Sequence, residues 1–392
     1  MSKYPGFIFA ADTHLSELTW KGRPTLSGDP FYSMYQIVRL CIEKGLPLLL
    51  GGDLFDKDRP DSRSILEMQR CMQLMSDAKL PVFFIEGQHE RAQPPWMLAC
   101  PDVISVDGAQ FEISGHKFYG LSWAPHEVIQ ERVKLIPPDV EFVMMHQVWC
   151  EHMGNVVVTP EVSVHDMPHG LCVLSGDYHV TQITQHNTAC GQVTLVSPGS
   201  ISLRSIKEPP QKYVFEYQFE TKKFVKHELN TRFVIAASIS SAEGLDGVAS
   251  AVNEALQRRP AVPDDLHYQN AIREPIACIS YDDRQWDTAY RDITERLQNT
   301  HLFLTRLEFT EVGPEVQNTA TPVDAPLGSQ VCELIRPCFD TYRVPFADMQ
   351  LFTDRVFSGH ISPPRVPVAE LVDAVRKHLQ KQTIKDDTNA AC

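Results

Sequence analysis

A layered α/β fold is what this sequence predicts for its first 231 residues, on three observations. Six short hydrophobic runs recur there, each closed by Gly, Asp or His. None alternates with polar residues, as strands buried on both faces require. Apolar residues at helical spacing fill the gaps between the first three runs. Strand, helix, strand, helix, strand in that order means a layered sheet with covering helices.

The elements follow in order. FIFAAD (7–12) is the first strand, and Phe31, Met34, Tyr35, Val38 and Cys41 mark the first helix. PLLLGGD (47–53) is the second strand, and Ile65, Met68, Met72 and Met75 mark the second helix. PVFFIEG (81–87), EFVMMH (141–146), LCVLSGD (171–177) and VTLVSPG (193–199) complete the buried runs. KFYGLSW (117–123) and KYVFEYQFETKKFVKHEL (212–229) read as antiparallel strands that close the unit.

A second unit starts at Arg232, where two helical stretches, 242–258 and 285–298, separate three apolar strands in a β-α-β-α-β pattern. Residues 313–329 are polar and Pro-rich, which reads as a linker. Beyond it, 330–392 is a helical tail in which Val368, Leu371, Val372, Val375 and Leu379 form an apolar stripe. The stripe can pack against its own chain or dock onto a partner, and a tethered tail with little core of its own favours the partner. The expected organisation is therefore 1–231, 232–312, 313–329 and 330–392.

Charge and composition narrow the function. Net charge is −14, with −7 on each side of residue 232, so no part is a basic nucleic-acid-binding domain. Any grip on phosphate must be local. No stretch has the apolar length of a membrane span, and the N-terminal GFIFAAD is too short for a signal segment. Ten cysteines lie scattered without a C-x-x-C pair, which suits reduced thiols in a cytoplasm.

Chemistry collects at the strand ends. The first delivers Asp12 and His14, and the second Asp53 and Asp56. The third delivers Gln88, His89 and Glu90, the next His146, and LSGDYHV delivers Asp177 and His179. In an open α/β sheet such ends lie along one edge. One Asp after Gly is ordinarily a turn residue or helix cap, and one His is ordinarily a hydrogen-bonded polar residue. Five consecutive ends carrying carboxylate, carboxamide or imidazole outweigh those readings. His116, His165, His169 and His186 lack that setting and are read as ordinary histidines. Two divalent ions on such a set can clamp a phosphate and activate water, with Asp53 placed to be shared. Mixed Asp and His donors suit manganese, iron or zinc better than calcium. Glu90 reads as an outer partner to a neighbouring His.

D-x-H, G-D-x-x-D, G-x-H-E, an isolated His and G-x-x-H, in that order, resemble the calcineurin-like metallophosphoesterase superfamily. GGDLFDKDRPDS resembles its DNA-repair exonuclease branch, the SbcD-type nucleases of bacteria and phages; protein phosphatases normally follow that Asp with Arg-Gly. The resemblance implies a β-sandwich metallophosphoesterase core with flanking helices, a small β-α-β-α-β cap and a helical tail. It implies a first metal on Asp12, His14, Asp53 and His179, and a second on Asp53, Gln88, His146 and Asp177. His89 falls on the catalytic acid. Two positions depart from the family: Gln88 stands for the usual Asn, and Asp177 for the usual His. Both remain oxygen donors, and Asp177 shifts the preference toward Mn2+ or Mg2+.

The implied activity is a manganese-dependent DNA nuclease for end processing, repair or recombination, cytoplasmic in a bacterial or phage-infected cell. It would work with an SbcC-like coiled-coil ATPase bound at the tail, as a homodimer. Phe31, Tyr32, Met34 and Tyr35 are candidate dimer contacts or an ordinary core face. SPGSISLRSIKEP (197–209) resembles the segment beside the substrate, so Arg59, Ser200 and Arg204 are candidate substrate contacts. Lys21, Arg23, Arg63, Arg91 and Lys207 also fall in loops near these ends. Two alternatives stand: a phosphodiesterase or phosphatase for small nucleotides, and a non-catalytic scaffold on DNA ends.

Overall fold

The computed structural model describes residues 4–17, 19–20, 26–90, 92–152, 160–205, 208–239, 244–257, 267–281 and 301–306. All lie within one compact unit, Met1–Glu308. The linker, the helical tail and the expected helix over 285–298 fall outside the described residues.

Two six-stranded sheets face each other, giving the layered α/β fold expected. The first sheet is built on β1 (Gly6–Ala10), β2 (Leu48–Gly51) and β3 (Val82–Ile85), which pair in parallel. β4 (Val103–Ser105) extends it on one side. On the other, β11 (Lys212–Gln218) pairs antiparallel with β1 and forms a hairpin with β12 (Lys223–Leu229). The second sheet has the order β5, β6, β7, β8, β10, β9. Its strands are β5 (Gln110–Ile113), β6 (His116–Leu121), β7 (Phe142–His146), β8 (Cys172–Gly176), β9 (Gln182–Thr188) and β10 (Gly191–Ser197).

All six hydrophobic runs are strands here. KFYGLSW is antiparallel only to β5; toward β7 it runs parallel, Phe118 opposite Phe142. β9 was not legible as a strand, because QITQHNT has no apolar run. It is an outer strand with alternating exposure and needs only one neighbour.

Phe7 of β1 meets Phe118 and Phe142 of the opposite sheet edge-to-face, with centroids 5.4 and 5.6 Å apart. Each fully buried phenylalanine contributes roughly 1.5–3 kcal/mol by leaving water. α1 (Asp29–Lys44) covers the first sheet and ends on Gly45, whose left-handed backbone lets its N–H reach Cys41 and Ile42 carbonyls. α2 (Ser62–Asp77) starts at Asp61, which accepts the Ser64 N–H at 2.8 Å. The four candidate dimer contacts, Phe31, Tyr32, Met34 and Tyr35, are all buried within the chain. They belong to its own core.

A third sheet has three parallel strands, β13 (Val234–Ile239), β14 (Ile276–Tyr281) and β15 (His301–Arg306). One helix, Gly244–Gln257, lies between the first two in sequence. Among the described residues no helix is long and apolar enough to cross a membrane.

Candidate metal centre

The strand ends do not share one edge of one sheet. β1, β2 and β3 deliver Asp12, His14, Asp53, Gln88 and His89 from the first sheet; β7 and β8 deliver His146, Asp177 and His179 from the second. The site closes between the two layers, and both are needed to complete it. Pairing continues past β1 and β2 to place these residues. Asp12 N–H donates to Gly52 O at 3.0 Å, and His14 N–H to Asp53 O at 2.8 Å.

The backbone is bent where the donors sit. Asp12, His14, Asp53 and Asp177 have φ of 51°, 41°, 49° and 73°, four of the nine non-glycine left-handed residues described. Asp and His tolerate that region better than most residues, but each still carries a cost of order 1–3 kcal/mol. Strain concentrated on candidate ligands is what a functional site stores.

Asp53 splits its oxygens between backbone and cluster, while Asp12 uses one oxygen for both. Asp53 Oδ1 accepts the His89 N–H at 3.0 Å. Its Oδ2 lies 3.6 Å from His14 Nε2, 3.5 Å from His146 Nε2 and 3.7 Å from His89 Nε2. Asp12 Oδ1 accepts the Asp177 N–H at 3.0 Å and stands 3.8 Å from His179 Nε2. Asp12 Oδ2 and His146 Nε2 are buried without a hydrogen bond among the described residues. Such groups cost free energy unless something else satisfies them.

The two ligand imidazoles His14 and His179 stand at a separation that fits a shared cation, and the carboxylate separations of 3.5–3.8 Å are slightly wider than one ion sets. Donors bonded at ~2.1 Å to one ion, at octahedral to tetrahedral angles, stand roughly 3.0–3.4 Å apart. His14 Nε2 and His179 Nε2 are 3.2 Å apart, with no carboxylate between them. Among the described residues, three groups can hold an ion: Asp12, His14 and His179; His14, Asp53 and His89; Asp12, Asp53 and His146. Asp53 belongs to two of them.

The imidazoles are oriented from behind. His146 Nδ1 lies 2.7 Å from Gly51 O and His89 Nδ1 lies 2.8 Å from Asp56 O, so both donate at Nδ1 and present Nε2 to the cluster. His179 Nδ1 meets Glu208 Oε1 at 3.1 Å, with the same consequence. Burial leaves His14 with a pKa well below the ordinary histidine range. Burial also disfavours charge on His146, yet Asp53, Asp12 and Asp177 outweigh it and raise that group. Burial pushes Asp12 up to about 6, while for Asp53 the facing imidazoles overcome burial and hold it down.

Gln88 Nε2 donates to Asp177 Oδ1 at 2.5 Å, so the two residues that depart from the family motif touch each other. Asp177 Oδ1 is 3.9 Å from His146 Nε2. The floor of the site is sealed, with Asp12, His14, Asp53 and His146 side chains at most 2% exposed. His89 and His179 stand at the mouth, 35% and 30% exposed.

Other candidates are placed differently from expectation. Glu90 does not back a histidine; its carboxylate accepts Phe55 N–H at 2.6 Å and Gly87 N–H at 2.8 Å, tying two strand-end loops together. Ser200 is 1% exposed and accepts Lys212 Nζ at 2.7 Å. Arg204 pairs with Asp56, and Arg63 with Glu17 and the Tyr268 hydroxyl. Arg59 is exposed. Lys21, Arg23, Arg91 and Lys207 lie outside the described residues.

Sequence reasoning missed Glu208 and Lys212. Burial would raise the Glu208 carboxyl, but the His179 hydrogen bond and Lys212 outweigh it and hold it at about 2. Glu208 falls inside SPGSISLRSIKEP, yet that resemblance does not single out a glutamate 29 residues beyond His179. A further signal lay in Lys212, which opens the apolar strand KYVFEY where a buried side chain is expected.

No protein-family model matches the chain. The DNA double-strand break repair protein Mre11 of Methanosarcina mazei is 22% identical over 293 residues, 70% of this chain and 46% of that protein. The chain thus spans about half the length of the curated relative it matches. Among solved structures, TT1561 of Thermus thermophilus aligns over 58% of this chain and 99% of its own at 12% identity, with a TM-score of 0.36.

Proposed function

We propose that this chain is a metal-dependent phosphodiesterase acting on DNA ends, the nuclease subunit of an SbcC–SbcD-type pair. One observation carries the reading: three imidazole Nε2 atoms from both sheets converge on Asp53 Oδ2 at 3.5–3.7 Å. Partial similarity to a DNA double-strand break repair protein supports DNA as the substrate.

Asp12, His14, Asp53 and His179 would hold one divalent ion, and Asp53, Gln88, His146 and Asp177 a second. Mixed imidazole and carboxylate donors favour Mn2+, with Mg2+ next. The ions would supply the charge that polarises the scissile phosphate and acidifies water. The protein does the rest. Asp56 O and Asp53 Oδ1 fix the His89 ring and backbone, and from the doubly protonated ring the proton on Nε2, at the mouth, would pass to the departing oxygen while Nδ1 keeps its own. Arg59, exposed on the loop after Asp56, would meet a neighbouring phosphate. Arg204 would contribute through Asp56, and Ser200 from beneath the surface. The tail would dock the ATPase, and dimerisation would use surfaces other than the buried face of α1.

Release of labelled nucleotides from linear duplex DNA in Mn2+ tests this, wild type against His89→Ala. The mutant should lose about 10²–10⁴-fold in rate. Equal activity in both would sink the mechanism, as would inactivity of wild type with its ATPase partner supplied.

One observation favours a second reading. Arg63 and Arg204 are already paired with Glu17 and Asp56, on a protein of net charge −14. A small nucleotide phosphodiester needs no basic track. Turnover of bis-(p-nitrophenyl) phosphate without any DNA cleavage would select that reading.

A further inference from the structure

We propose that Glu208 is a positioning residue for the metal centre: its carboxylate fixes His179 with Nε2 toward Asp12 and His14 and so sets the ion affinity of that group. The inference rests on the metal-centre reading above.

Three imidazoles at the centre are held through Nδ1, and only one is held by a charged group. His146 and His89 donate to main-chain carbonyls, Gly51 O and Asp56 O. His179 instead meets Glu208 Oε1 at 3.1 Å. A carboxylate behind an imidazole fixes tautomer and ring orientation and raises the basicity of the opposite nitrogen. That nitrogen lies 3.2 Å from His14 Nε2 and 3.8 Å from Asp12 Oδ1.

Glu208 is itself anchored. Its Oε2 accepts Lys212 Nζ at 2.7 Å and the Ser200 hydroxyl at 3.2 Å, and Lys212 Nζ also donates to Ser200 Oγ at 2.7 Å. The Lys212 side chain is 2% exposed. Burying that ammonium is expensive and adds little net stability even when paired, so specificity of arrangement is the better account of its presence. Lys212 is the first residue of β11, which pairs with β1, the strand leading to Asp12 and His14. The relay Lys212–Glu208–His179 therefore ties a ligand on the loop after β8 to the sheet that carries its co-ligands.

The test is Mn2+ titration of the full chain by calorimetry, with circular dichroism and melting of the chelator-treated protein as folding controls. Glu208→Gln keeps the shape and removes the charge. One ion should bind about 10–100-fold more weakly, with the metal-free melt little changed. Because the single variant strands a buried lysine, Glu208→Gln/Lys212→Met is the second arm, and it should show the same weakening. Wild-type affinity in the double variant would overturn the inference even if the single variant binds weakly or fails to fold. A wild-type chain that binds no Mn2+ would overturn the metal centre first, and the inference with it.

Discussion

Asp53 shows how one residue organises the site. One oxygen fixes the His89 backbone, and the other faces three imidazoles from two sheets. The same scale holds a residue with the opposite character. His152 is 5% exposed, stacks on Tyr178 with centroids 4.3 Å apart, and has no hydrogen bond at either ring nitrogen among the described residues. Burial, helped by His186, lowers its pKa to about 4 from 6.5. The unfolded chain thus binds the proton more readily between those values. Stability from this residue is complete above pH 6.5 and is lost as pH falls toward 4. At about pH 5 the loss should be about 2 kcal/mol relative to about pH 7.5. Urea unfolding at both pH values should show it, and His152→Phe should remove that share while costing little at the higher pH. An unchanged pH dependence in the variant would mean that His152 is not held neutral.

Elements decide what was legible. Asp12, His14, Asp53, His89, His146 and His179 could be found because each follows a buried strand, and such strands announce themselves as unbroken apolar runs. The resemblance implied a sandwich of two sheets, but the residue pattern could not show which runs go to which sheet, since parallel pairing is settled by packing and not by pattern. Nor could it show Glu208, which sits on a loop and meets His179 only through the fold. Glu90 was misread because a carboxylate beside a histidine looks like its partner, whereas its oxygens go to the Phe55 and Gly87 amides. Close approach of the layers gives glycine a specific task. A Cβ on Gly176, at the end of β8, would meet Gly51 O and His146 Nδ1, the two atoms of the bond that orients His146. Gly176→Ala should therefore cost about 1–3 kcal/mol in urea unfolding and also weaken Mn2+ binding. A stable variant with wild-type Mn2+ affinity would show that the two layers can part without disturbing the centre.

Across the whole described unit, the segment after β12 is tied to the first layer by a buried ion pair. Arg232 is 1% exposed and grips Asp29 with two bonds of 2.8 Å, Nε to Oδ1 and Nη2 to Oδ2. Its remaining donors reach main-chain carbonyls, Glu274 O at 2.7 Å and Ala271 O. Asp29 opens α1, where the helix dipole also favours its charge. Gly28 just before it has φ 94°, and a Cβ there would press on Ala271 and Tyr268. Tyr268 in turn donates to Glu67 of α2 at 2.7 Å. The polypeptide carrying the third sheet is thus fastened to the start of α1 and to α2 by charge and hydrogen bonds. Sequence could not show this, because Asp29 and Arg232 lie 203 residues apart. A buried pair of this kind adds little net stability, but leaving one partner alone is severe. Arg232→Met should cost about 3–5 kcal/mol by stranding Asp29, and Asp29→Asn in the same chain should recover much of it. Urea unfolding of the two variants measures both steps. A loss below ~1 kcal/mol in the single variant would mean that Asp29 finds water, and that the third sheet is held by its apolar contacts instead.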